Sequence, residues 1–206
     1  MHSFLIKSDL KVWAVGSGRP KPRFREPEWV TAVAYSPDGR RLAVGSGSEA
    51  VAVWEVASGR KALALDEGQS GGSVRGLAWS PDGRRLAAAD AEGTIRVWGL
   101  ASRERLAMLR WPESQPGPLA FTPDGRRLVA AGLERAGKES SRDWRSEVRA
   151  WDTTTWRGRV VLRCSLVEEV CDLCFSPCGT RLATAHGDGT VRVWSTEELL
   201  RRPATR

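Results

Sequence analysis

Apolar and small or polar residues take turns along this chain in short runs. Examples are "VTAVAYS" from Val30, "RRLAVGS" from Arg40 and "AVAVWEV" from Ala50. Clusters of Ser, Pro, Asp and Gly separate the runs. A period of two over so few residues predicts strands, and each D-G step predicts a tight reversal between two of them.

The runs recur. "YSPDGRRLAVGS" (Tyr35 to Ser46) returns as "WSPDGRRLAAAD" from Trp79, "FTPDGRRLVAAG" from Phe121 and "FSPCGTRLATAH" from Phe175. The turns begin at Ser36, Ser80, Thr122 and Ser176, at intervals of 44, 42 and 54. A second marker ends at Trp13, Trp54, Trp98, Trp151 and Trp194, in "LKVW", "VAVW", "IRVW", "VRAW" and "VRVW". A period in the low forties with one insertion is a repeat architecture.

Each unit reads as four strands, a to d. The D-G turn joins a to b, and small residues in strand a (Ala34, Ala78, Ala120, Cys174) allow close backbone approach. One such sheet cannot bury both its faces. Sheets stacked face to face around an axis can, and the predicted fold is an all-β propeller.

At this point the residues resemble a known family. S-P-D-G, then L-A, then G-T-[VI]-R-V-W is similar to the WD-repeat β-propellers, over about residues 3 to 200. The expected units are a partial blade at 3–25 and blades at 28–66, 73–110, 117–163 and 169–206, with an insertion at 133–146. The partial blade lacks strand a, and the last has only "LLRRPATR" for strand d. A small, open ring or a truncated one is therefore expected, with blade edges free for self-association. The family dipeptide stands intact only at Trp151-Asp152. The resemblance also implies a hydrogen-bonded tetrad of a His before strand a, a strand-b hydroxyl, the strand-c Trp and a turn Asp. Only His2 and His186 exist and neither precedes a strand a, so no complete tetrad is expected. Ser46 matches the hydroxyl and Asp188 the turn Asp, with Glu92 as a substitute.

Composition refines this picture. Ten tryptophans against four Phe and one Tyr fit one aromatic position used repeatedly. The net charge of +7 comes from an Arg-rich basic set that will adhere weakly to polyanions whatever the function. No apolar run approaches the ~18 residues of a membrane span, and a soluble cytoplasmic protein is expected. Cys164, Cys171, Cys174 and Cys178 suggest a metal site by spacing alone. Each nevertheless falls in an ordinary slot of the repeat, so no metal is expected and a reducing compartment fits.

Neither a G-x-S-x-G elbow nor a P-loop occurs, and no cofactor or enzymatic activity is expected. His186 reads as a structural residue. Three functions by binding remain. The first is a scaffold for another protein, and the second a sensor or regulatory domain of a longer parent chain. The third is a basic nucleic-acid-binding propeller, ranked below the others because no aromatic is interleaved with its basic arc. In that third reading Arg40, Arg84 and Arg126, after the D-G turns, contact anions. For a protein partner the expected anchors are Trp111 and Trp144 with Arg142 and Arg145. They stand on two loops, 110–117 and 133–146, that the resemblance brings to one face.

Overall fold

The computed structural model describes residues 10–20, 24, 29–47, 51–66, 72–111, 114–135, 144–165 and 168–201. Among these residues, fifteen strands form four antiparallel sheets and one short helix follows them. The first blade is β1 (Val30–Tyr35), β2 (Arg41–Ser46), β3 (Val51–Glu55) and β4 (Lys61–Asp66), paired in that order. The second is β5 (Val74–Trp79), β6 (Arg85–Asp90), β7 (Thr94–Gly99) and β8 (Arg105–Arg110). The third is β9 (Ser114–Phe121), β10 (Arg127–Arg135), β11 (Trp144–Asp152) and β12 (Gly158–Ser165). The fourth has β13 (Val170–Phe175), β14 (Arg181–His186) and β15 (Val191–Ser195), and then α1 (Thr196–Arg201).

The S/T-P-x-G turn shows why these strands reverse where they do. Ser36 Oγ donates to Asp38 Oδ1 at 2.6 Å, and the Arg40 amide donates to the same oxygen at 3.0 Å. The Arg41 amide donates to Ser36 Oγ at 2.9 Å. Gly39 takes φ +67°, a conformation glycine adopts at no steric cost. Ser80 with Asp82 and Thr122 with Asp124 repeat the arrangement. Hydrogen bonds from Ser36 and the Arg40 amide hold the Asp38 carboxyl below its ordinary range. In the fourth blade Cys178 stands in the Asp position, 3.4 Å from Ser176 Oγ and 3.1 Å from Thr180 Oγ1. Those two hydroxyls bring its thiol down to about 7.

The inner strands β1, β5, β9 and β13 stand side by side in chain order, as in a propeller. At Gly76 the approach is so close that a Cβ would strike the Gly117 carbonyl and the Leu119 side chain. The apolar core lies between blades. One cluster joins Ala43, Val53 and Leu86 with Trp98, and another joins Ala87, Val97 and Leu128 with Trp151. A third joins Val129, Val148 and Leu182 with Trp194 and reaches Leu199 of α1. At the N-terminal end, antiparallel bridges Leu10–Phe24 and Trp13–Pro20 place Phe24 edge-on to Trp54, 6.0 Å between ring centroids. This is the described part of the partial blade; "FLIKS" lies outside the described residues.

Two expectations are corrected. The chain after β15 is helical over 196–201, where a weak strand d was expected, because Leu199 turns back into the third–fourth blade core. Residues 133–146 are not simply a loop: β10 and β11 keep pairing through Leu133–Ser146, Glu134–Arg145 and Arg135–Trp144. The third blade is therefore taller than its neighbours at this end.

Candidate interaction face

The strand-a starts and strand-b ends gather at one end of the array, where the d–a linkers and b–c hairpins emerge. They enclose a cleft of about 770 Å³ lined from all four blades. Val33, Leu77 and Leu133 give it apolar walls, and Arg75, Gln115, Glu169 and Asp172 give it charge and hydrogen-bonding capacity.

A recurring irregularity shapes this lining. Strand pairing slips beside Thr31 in β1, Arg75 in β5 and Cys171 in β13, and between Pro116 and Leu119 in β9. A bulge re-aims a side chain, and all of these positions line the cleft. The sequence signals two of the slips: Gly76 stands beside Arg75 in β5, and Pro116-Gly117-Pro118 marks the one in β9, since proline cannot hold a regular place in a central ladder. Cys171 is exposed, and its thiol lies 3.6 Å from the Glu169 carbonyl. Among the described residues no group of three or more His, Cys, Asp or Glu is placed to hold a metal ion.

The candidate anchors separate. Trp111 is fully buried, in the core between the second and third blades, and cannot be a surface anchor. Its amide donates to the Gly93 carbonyl at 2.7 Å, which draws the ring inward. The ring lies edge-on to Trp151 at 6.0 Å, and the Arg149 guanidinium covers it at 4.7 Å. Trp144 is half-buried at the opposite end of β11 from Trp151. Trp144 and Trp151 are seven positions apart, roughly 23 Å of strand, and an odd spacing puts them on opposite faces. Trp111 and Trp144 are therefore not neighbours, because the d–a linker tucks Trp111 under the blade. Arg145 is exposed and Arg142 lies outside the described residues.

Sequence reasoning missed the polar network beside Trp111. Arg149 donates to Glu134 at 2.8 Å and to Glu147 at 3.0 Å, and Arg163 donates to Glu147 at 2.8 Å. Glu147 is 1% exposed. Burial, and then the adjacent Glu147 carboxylate, push the Glu134 carboxyl up to about 7. Burial also acts to raise Glu147, but hydrogen bonds from Glu134 and Arg163 and the charge of Arg149 outweigh it and hold it low. A buried carboxylate needs this many partners. No spacing rule brings residues 134, 147 and 163 together; the paired strands do.

His186 is buried in a short relay. Trp194 Nε1 donates to Thr184 Oγ1 at 2.9 Å, and that hydroxyl lies 2.8 Å from His186 Nε2. His186 Nδ1 lies 2.8 Å from the Glu168 carbonyl. Tryptophan, hydroxyl and histidine thus connect although the histidine sits on strand b. Asp188 accepts from the Thr190 amide and pairs with Arg192. In the second blade Asp90, rather than Glu92, takes the turn carboxylate's role. It accepts from the amides of Glu92 and Thr94 and pairs with buried Arg96 at 2.7 Å.

Arg40, Arg84 and Arg126 are exposed at the far end, each two residues after its turn aspartate. Their neighbour Arg85 is a latch: it donates to the Gly125 carbonyl at 3.0 Å and lies 5.5 Å from the Phe121 ring centroid. Part of the basic arc therefore serves packing between blades.

Comparison with known families finds the model described as "WD domain, G-beta repeat" at residues 18–55, 61–99 and 161–195, more than half of the chain. The second and third matches each run from a strand d to the strand-c tryptophan of the next blade, so the sequence unit straddles two sheets. No curated protein matches the chain significantly.

Proposed function

The chain belongs to the WD-repeat family, and on that premise we propose that it is a non-catalytic scaffold. In this reading it holds a protein segment, from a separate protein or another domain of a longer chain, at the cleft end of the array. WD-repeat propellers are in general interaction scaffolds. The observation that carries the assignment to this end is the repeated bulge. It turns Thr31, Arg75 and Cys171 into a mixed apolar and charged cleft, continuous with the tall hairpin of the third blade. Trp144 and Arg145 at the top of that hairpin are the anchors proposed here, with Arg142 on the adjoining segment. Trp and Arg are the residues that most often dominate binding energy at such surfaces. Among the described residues no helix is long and apolar enough to cross a membrane. The four unpaired cysteines support a reducing, cytoplasmic setting.

Affinity capture from the native extract tests this. Arg75→Glu and the pair Trp144→Ala with Arg145→Glu should each abolish recovery of the partner. The triple change Arg40→Glu, Arg84→Glu, Arg126→Glu should leave recovery intact. If the triple variant alone loses its partner, or if recovery depends on nucleic acid, the basic arc is the working surface instead.

A further inference from the structure

The described interfaces between full blades share one construction. A strand-c tryptophan shares a core cluster with a row of small apolar residues that crosses the first three strands of the preceding blade. Trp98 belongs with Ala34, Ala43 and Val53, Trp151 with Ala78, Ala87 and Val97, and Trp194 with Ala120, Val129 and Ala150. In each row the residues are direct cross-strand partners.

The same register continues in the fourth blade as Cys174, Ala183 and Val193. There the row is uncovered: Val193 is 57% and adjacent Val191 70% exposed. At the other end of the array the series of tryptophans begins with Trp13. Trp54, Trp98 and Trp151 are 3 to 6% exposed, whereas Trp13 is 56% exposed. Among the described residues there is thus one row without a tryptophan and one strand-c tryptophan left exposed.

We propose that a second copy of this chain supplies the missing half. The Trp13 end of one copy packs on the Cys174–Ala183–Val193 face of another and continues the blade-to-blade packing between chains. The row fits a strand-c tryptophan three times over within the chain itself. Both surfaces are exposed in a single copy, so the described residues of one chain do not cover them. The two surfaces differ, and the contact is head-to-tail: it leaves a free end on each outer copy and allows closed rings or longer chains. It uses the open sides of the end blades and leaves the cleft face free, so it stands or falls independently of the proposed scaffold role.

Sedimentation velocity across the micromolar range tests the pairing. The wild-type chain should sediment faster as concentration rises. Trp13→Ala and Val193→Arg should each remain monomeric, with melting temperatures near wild type because both positions are exposed. Trp13→Ser and Val191→Arg serve if either variant melts early. An equal mixture of Trp13→Ala and Val193→Arg should form a one-to-one dimer and nothing larger, since each variant brings one intact end. A wild-type monomer at every concentration would overturn the proposal, including one that closes its own ring. So would a Trp13→Ala chain that associates like wild type, which would mean like faces meet. A mixture that stays monomeric would overturn it as well.

Discussion

The ring of Trp111 lies edge-on to that of Trp151, with 6.0 Å between centroids, and the contact joins the second blade to the third. A tryptophan in the linker thereby fills the space between two sheets that share no backbone pairing. Trp111→Ala should destabilise the protein by about 3–5 kcal/mol in urea titration, the usual cost of emptying a buried aromatic site. Trp144→Ala, at a half-buried hairpin position, should cost about 1 kcal/mol or less. Equal midpoints for Trp111→Ala and wild type would contradict the packing role.

Glu134 and Glu147 face each other across Arg149, and their shared environment gives stability a pH dependence. The folded Glu134 carboxyl holds its proton to about 7, above its ordinary 4.5. Between those pH values the folded chain binds more protons than the unfolded one, so this group's contribution to stability falls as pH rises. Glu134→Gln is neutral in both states and should remove that slope. Unfolding free energy measured from pH 5 to pH 8 should show the variant gaining on wild type as pH rises. A constant difference would mean that Glu134 is ionised throughout.

The Trp194–Thr184–His186 relay predicts a cost out of proportion to one hydroxyl. Thr184→Val keeps the volume but leaves the half-buried Trp194 indole and the buried His186 ring without their shared partner. The expected loss is about 1–3 kcal/mol, read from chemical denaturation. A neutral Thr184→Val would show that the relay is incidental to the fourth blade.

The repeat made most of the fold legible. S-P-D-G marks a turn whose hydrogen bonds are local, between residues 36 and 41, and local chemistry can be read from adjacent letters. The strand-c tryptophans mark where blades meet. The site was less legible because its determinants are not local. Trp111 looks like a loop residue in "RWPESQPGP", and only its amide bond to Gly93 and the blade beneath make it core. The slips at Thr31 and Cys171 carry no Gly or Pro in their own strands to announce them. Residues 133–146 are polar enough to pass for a loop, yet cross-strand pairing carries both arms past their counterparts in the other blades. His186 reads as structural from the sequence, while its partners 184 and 194 follow only from the register of β14 against β15.

Hydrogen–deuterium exchange on the complex with the captured partner tests the central claim most directly. Binding at the cleft end predicts slowed exchange in 74–77, 115–119, 131–135, 144–146 and 169–172, with the a–b turns at 36–41, 80–85 and 122–127 unchanged. Protection confined to those turns would contradict the account and assign recognition to the arginine-bearing end.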